Sequence, residues 1–159
     1  MKILINGVGG PTPRSIARSL QLYSRYKHYE LIGTDINPLS RDLYDHTLYN
    51  KTYLAPPAGS SDYWIFMNEL IQTHQIDMAL VQPELEVLEW SKKAEENALP
   101  CKALLPAYRL AQILTDKGIM TEVLKDSGLV PPTIVIHPDL YDIDQIIGYL
   151  GFPFWIRAT

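Results

Sequence analysis

The stretch Met1-Lys2-Ile3-Leu4-Ile5-Asn6-Gly7-Val8-Gly9-Gly10-Pro11-Thr12-Pro13-Arg14 decides how the fold is read. Residues 3–5 are a continuous apolar run stopped by Asn6 and Gly7, the pattern of a parallel strand buried on both faces. A glycine-rich loop follows, and Thr12 can cap a helix whose first position suits Pro13, where a missing N–H costs nothing. Ile16, Ala17, Leu20 and Tyr23 recur at helical spacing to about Arg25. A strand, a glycine loop and a helix in that order are the first step of a doubly wound α/β fold.

The same alternation continues outward. Residues 29–34 read as a second strand, closed by Asp35 and the turn pair Asn37-Pro38. Residues 52–55 are a third strand stopped by Pro56-Pro57. Ser61 and Asp62 precede a helix whose Met67, Leu70, Ile71 and His74 share a face. Residues 77–81 are a fourth strand, 84–97 a helix and 101–105 a fifth strand. Strands joined by helices through short links require right-handed crossovers and a parallel sheet. The expected fold is therefore a three-layer, Rossmann-like α/β domain over residues 1–110.

Residues 111–159 follow another pattern. A helix is predicted over 107–126, running through Asp116-Lys117 and closed by Gly128 and Pro131-Pro132. Residues 133–136 read as a strand. Asp142 and Gln145 form a capping box ahead of the stripe Ile143, Ile146, Ile147 and Leu150. A last strand is expected at 154–156. A strand–helix–strand that leaves Phe152, Phe154, Trp155 and Ile156 seeking partners predicts a portion of a longer protein.

Composition narrows the function classes. Fourteen Lys and Arg against eighteen Asp and Glu give a formal net charge of -4 without any basic run, which disfavours nucleic acid and acidic membranes as partners. The apolar runs are too short for a signal peptide or a membrane span, so a cytoplasmic location is expected. Cys101 is the single cysteine, set in an apolar stretch where a thiol acts as a small hydrophobe. His28, His46, His74 and His137 lack ligand spacing, so no metal site is expected. No serine stands in a Gly-x-Ser-x-Gly elbow, and no catalytic residue is assigned.

Two constellations could carry binding chemistry. In the first, Gly9 and Gly10 let the backbone approach a ligand at a helix N-terminus, with Asp35 closing the second strand where a ribose would lie in a dinucleotide fold. The third glycine of that fingerprint is replaced by Thr12. Arg14 falls in the first turn, where the helix dipole disfavours a cation by a few tenths of a kcal/mol. It is read either as a solvated arginine or as one compensated by a nearby anion or carboxylate. The second constellation is Gln82-Pro83-Glu84-Leu85-Glu86, past the carboxyl end of the fourth strand, on the edge where ligands of such sheets gather. Glu84 and Glu86 are equally suited to a helix's first turn.

Read together, residues 1–20, the segment Gly33-Thr34-Asp35-Ile36-Asn37-Pro38, Leu54-Ala55-Pro56-Pro57 and Ile76-Asp77 resemble the N-terminal, pre-ATP-grasp domain of ATP-grasp ligases. The type most similar is the large subunit of carbamoyl-phosphate synthase. Thr115-Asp116-Lys117, with Leu124, Gly128 and Pro132-Thr133, looks like the helix leading into the ATP-grasp fold. Gly151-Phe152-Pro153-Phe154-Trp155-Ile156-Arg157 looks like its phosphate-binding strand. The resemblance implies ATP and Mg2+ as cofactors of the parent enzyme, with Lys117 and Arg157 on the nucleotide side. It implies an acyl-phosphate intermediate formed from a carboxylate or bicarbonate and captured by an amine or ammonia. Gly9, Gly10, Arg14, Asp35 and Glu84 would then serve the acceptor substrate, residues 111–159 would begin the small ATP-grasp lobe, and a homo-oligomer is compatible. The family's later phosphate loop, adenine pocket and acidic magnesium ligands are absent from these 159 residues, so the chain by itself is expected to be inactive. The alternatives are an NAD(P)-binding oxidoreductase domain and a non-catalytic small-ligand-binding module.

Overall fold

The computed structural model describes residues 1–23, 28–137 and 141–156. The chain divides into two compact units, Met1–Ala111 and Gln112–Thr159.

The first unit is an α/β domain. Strands β1 (Lys2–Asn6), β2 (Glu30–Asp35), β3 (Lys51–Leu54), β4 (Met78–Leu80) and β5 (Lys102–Ala103) form one sheet in the order β3-β2-β1-β4-β5. Every pairing is parallel, with Asn6 opposite Thr34 at one end of the β1–β2 ladder. Side chains alternate between the faces of β1 and β2. Ile3, Ile5 and Leu31 pack with Ala17 of α1 (Pro11–Tyr23) and with Leu43, Leu48 and Tyr49 from the β2–β3 connection. Leu4 and Ile32 pack on the other face with Tyr63, Met67, Leu70 and Ile71 of α2 (Tyr63–His74) and Trp90 of α3 (Glu84–Glu95). Helices thus cover both faces, and β1 needs apolar residues at every inner position. Each fully buried Leu or Ile contributes about 1.5–3 kcal/mol.

Local chemistry shifts several boundaries. Helix α1 begins at Pro11 rather than after a Thr12 cap, because Pro11 itself lacks the N–H that a first turn would leave orphaned. Ser61 and Asp62 bond to each other, and neither caps α2 through its side chain. That helix closes on Gln75, held left-handed at φ 53°.

The region following the sheet departs further. Instead of one helix over 107–126 there are two, α4 (Tyr108–Thr115) and α5 (Lys117–Leu124), parted by Asp116. Asp116 is extended, and its carboxylate accepts the Ile119 N–H at 2.9 Å, so it starts a helix rather than continuing one. Gly128, at φ 70°, is the expected left-handed stop. In the second unit, Asp142 caps α6 (Ile143–Leu150) by accepting from the Asp144 and Gln145 N–H groups, and Ile146 is its buried position. The strands expected at 133–136 and 154–156 do not form. These residues have no ladder partner among the described residues, and β propensity without a neighbouring strand does not hold an extended segment as a strand. No helix among the described residues is long and apolar enough to cross a membrane.

Candidate functional site

The order β3-β2-β1-β4-β5 reverses direction between β1 and β4, which places a crevice beside the β1–α1 loop in folds of this class. Here neighbouring side chains press on two of the loop's glycines, while Gly9 stays exposed. Gly7 sits at φ 68°, and a Cβ on it would lie 2.5 Å from Cγ of Pro83 in the β4–α3 link. A Cβ on Gly9 would lie 2.3 Å from Ser40 Oγ and 3.0 Å from Asp35 Oδ2. Only Gly10 has ordinary room, with its nearest neighbours 3.4 Å away.

The loop's amides are also engaged. Val8 N–H donates to Thr34 O at 3.1 Å, Gly9 N–H to Asp35 Oδ2 at 2.7 Å, and Gly10 N–H to Gly7 O at 3.0 Å. Pro11 and Pro13 have no N–H, so Thr12 alone carries one among the first three residues of α1. The anion-binding equipment of a helix N-terminus is therefore largely missing or satisfied.

Asp35 holds the crossing point. Its Oδ1 accepts the Asn37 N–H at 2.8 Å while Oδ2 takes Gly9, and Asn37 Oδ1 accepts the Leu39 N–H at 3.0 Å. These bonds seat Ser40 against the glycine loop. Arg14 is half-buried and paired rather than a lone solvated arginine. It donates to Asp42 in the short 3-10 helix Arg41–Leu43 and to Asp45 at 3.3 Å, which provides the carboxylate compensation its first-turn position calls for. The Thr47 hydroxyl and N–H, together with Arg14, keep the Asp45 carboxyl below its ordinary range.

Glu84 and Glu86 divide. Glu84 is exposed in the first turn of α3, where the dipole favours it. Glu86 is buried, and its Oε2 accepts from both the Asn6 amide and the Tyr63 hydroxyl. Trp90 Nε1 in turn donates to the Tyr63 oxygen at 2.8 Å. Burial pushes the Glu86 carboxyl above its ordinary value despite these two donors, and burial beside Glu86 likewise raises Tyr63.

Of the sequence-predicted residues, the structure brings Gly9 and Asp35 into contact, gives Arg14 to Asp42 and Asp45, and leaves Glu84 at the surface. Lys117 belongs to the second unit, where its ammonium donates to Leu114 O. Arg157 lies outside the described residues. Sequence reasoning missed the Glu86–Asn6–Tyr63–Trp90 network. Its signal was an acid on the same helical stripe as Trp90, four residues along. Among the described residues, no group of three His, Cys, Asp or Glu could hold a metal ion. His74 is buried against Tyr53, with Nε2 2.7 Å from the hydroxyl, and burial lowers its pKa.

No family model matches this chain, and no curated protein matches it. Among solved structures, a dTDP-glucose 4,6-dehydratase from Bacillus anthracis str. Ames, in complex with NAD, is similar at a TM-score of 0.48 and 13% identity. The match covers 81% of this chain and 52% of that one, so the chain spans about half the length of that structure. An identity that low carries neither ligand nor chemistry across.

Proposed function

We propose that the first unit is the acceptor-side domain of an ATP-dependent carboxylate–amine ligase of the ATP-grasp type. In that chemistry a carboxylate oxygen attacks the γ-phosphorus of ATP, ADP leaves, and an amine displaces phosphate from the acyl phosphate to form the new C–N bond. The order and spacing of the segments at residues 1–20, 33–38, 54–57 and 76–77 support this reading. The observation that carries it against the nicotinamide alternative is the glycine loop. Asp35 occupies the Gly9 amide, and Ser40 lies against Gly9, the glycine whose backbone a dinucleotide's pyrophosphate approaches.

This chain's part in that chemistry is binding the acceptor, not transferring the phosphoryl group. Asp35 and Glu84 stand at the carboxyl ends of β2 and β4, with no basic residue between Gln82 and Glu86 beside them. Such an edge suits the ammonium-bearing end of an amino-acid acceptor better than bicarbonate. ATP supplies the phosphoryl group when bound to the parent enzyme. Among the described residues, no group of three His, Cys, Asp or Glu could hold the magnesium that this chemistry uses.

An amide-resolved NMR titration tests the reading. Amino acids are expected to move the amides of residues 35–40 and 82–86, with NAD leaving Val8, Gly9 and Gly10 unmoved. A specific response of those three amides to NAD would overturn the proposal. A carboxyl edge silent to every amino acid and to bicarbonate would remove the acceptor role.

A further inference from the structure

Helix α1 carries Arg14, Arg18, Gln21 and Leu22 at positions i, i+4, i+7 and i+8, which sets them along one stripe of the helix. Thr47 and Leu48 of the β2–β3 connection run beside that stripe, and the two walls bound an open cleft of about 480 Å³. That volume lies within the range of small-molecule sites.

The protein's own bonds set the width of the cleft. Gln21 Nε2 donates to Thr47 O at 3.0 Å and to Leu48 O at 2.9 Å. Arg14 donates to Asp42 and, at 3.3 Å, to Asp45, and Asp45 Oδ1 accepts the Thr47 N–H at 3.1 Å. The connection is thereby fixed to the helix before any ligand arrives, which leaves little ordering for a ligand to impose.

What remains uncommitted is one cation and one apolar side chain. Arg18 is exposed and makes no hydrogen bond or ion pair among the described residues. Leu22, one helical turn further, is 77% exposed, and Leu48 on the facing wall is buried. A guanidinium meets a carboxylate through two parallel N–H donors, and a leucine beside it offers surface to a hydrocarbon chain. Charge narrows the class of anion. Asp42 and Asp45 already balance Arg14, so Arg18 supplies the attraction, and a dianion drawn to it would also meet the field of Asp45.

We propose that the cleft between α1 and the β2–β3 connection binds a small amphipathic monocarboxylate, its carboxylate on Arg18 and its hydrocarbon part on Leu22 and Leu48. The site stands apart from residues 35–40 and 82–86, to which the acceptor is assigned, so either reading can fail without the other.

Amide-resolved NMR titrations of the intact chain with hexanoate, acetate and inorganic phosphate test it, at about pH 8, where phosphate is a dianion. Hexanoate should move the amides of Arg18, Leu22, Thr47 and Leu48 together and to saturation, with acetate and phosphate at least about fivefold weaker. Arg18→Gln, at an exposed position where folding is not at stake, should weaken hexanoate by about fivefold. Leu22→Ser should shrink the advantage of hexanoate over acetate. Hexanoate that leaves these four amides still, moves them without saturation, or binds Arg18→Gln as tightly as the wild type would overturn the site. Acetate or phosphate binding as tightly as hexanoate would overturn the amphipathic monocarboxylate as its ligand.

Discussion

Gly9 has its backbone N–H on Asp35 and no space for a Cβ, so its two constraints can be separated by mutation. Gly9→Ala would drive a methyl into Ser40 Oγ and is expected to destabilise the protein by about 1–3 kcal/mol, the range for overpacking. Ser40→Gly in that background removes the 2.3 Å and 2.9 Å clashes and should restore part of the loss, which a double-mutant cycle of urea melts would measure. Failure of Ser40→Gly to recover any stability would place the strain elsewhere. Arg14 offers a contrasting case. Asp42 is buried at 3% exposure, and removing its partner leaves a charge with little water. Arg14→Ala should therefore cost about 2–3 kcal/mol, below the full range for a buried pair because the arginine itself is partly solvated. Urea denaturation checks it, and a loss under about 0.5 kcal/mol, typical of a surface residue, would refute it. The sequence made Arg14 conspicuous by its conflict with the helix dipole. It could not say that the remedy lay 28 and 31 residues away, because that pairing depends on how the β2–β3 connection lies over α1. Glu86 stands in the first turn of α3, as its sequence position suggests, but its burial was not legible: a first-turn acid needs no further explanation until its burial is known.

At the scale of elements, periodicity located the strands and helices of the sheet domain, and caps corrected it. The apolar residues at 119, 120, 123 and 124 continue the helical spacing of the residues before them, so a pattern of period 3.6 passes through Asp116 without a break. Periodicity reports which face is apolar, whereas a cap reports where hydrogen bonding restarts. Asp116 satisfies the Ile119 N–H, one of the orphan donors of α5. Asp116→Ala should destabilise α5 by about 1 kcal/mol and speed hydrogen exchange at the Ile119 amide, leaving amides of β1 and β2 unchanged. Unchanged exchange at Ile119 would show that the helix start does not depend on this carboxylate. The unformed strands at 133–136 and 154–156 teach the complementary lesson. Val135 is 55% exposed and Trp155 96%, so their apolar character marks them as residues with surface to bury rather than as members of a ladder. Alternation and β-branching describe a residue that fits a sheet, but only a neighbouring strand makes one.

For the molecule as a whole, the buried ionisable groups give stability a predictable dependence on pH. Glu86 is held above its ordinary value by burial, so the folded state keeps this proton more tightly than the unfolded chain does. The stability it contributes is complete below about 4.5 and is lost as pH rises through the folded value. His74 acts with the other sign. Burial, and then Lys51, depress it, so the unfolded chain takes up this proton first, and stability present above 6.5 is lost as pH falls. The wild-type curve mixes the two slopes, and Glu86→Gln separates them. A glutamine stays neutral, still offers an oxygen to Asn6 and Tyr63, and leaves His74 untouched. The Tm difference between Glu86→Gln and wild type should therefore shift in favour of the variant as pH rises from about 4.5, then level off once Glu86 is fully ionised. Thermal melts of both proteins across that range measure it. A difference that is constant with pH would mean that Glu86 keeps its ordinary affinity for the proton, and the sheet would then be carrying a buried negative charge at its carboxyl edge without strain.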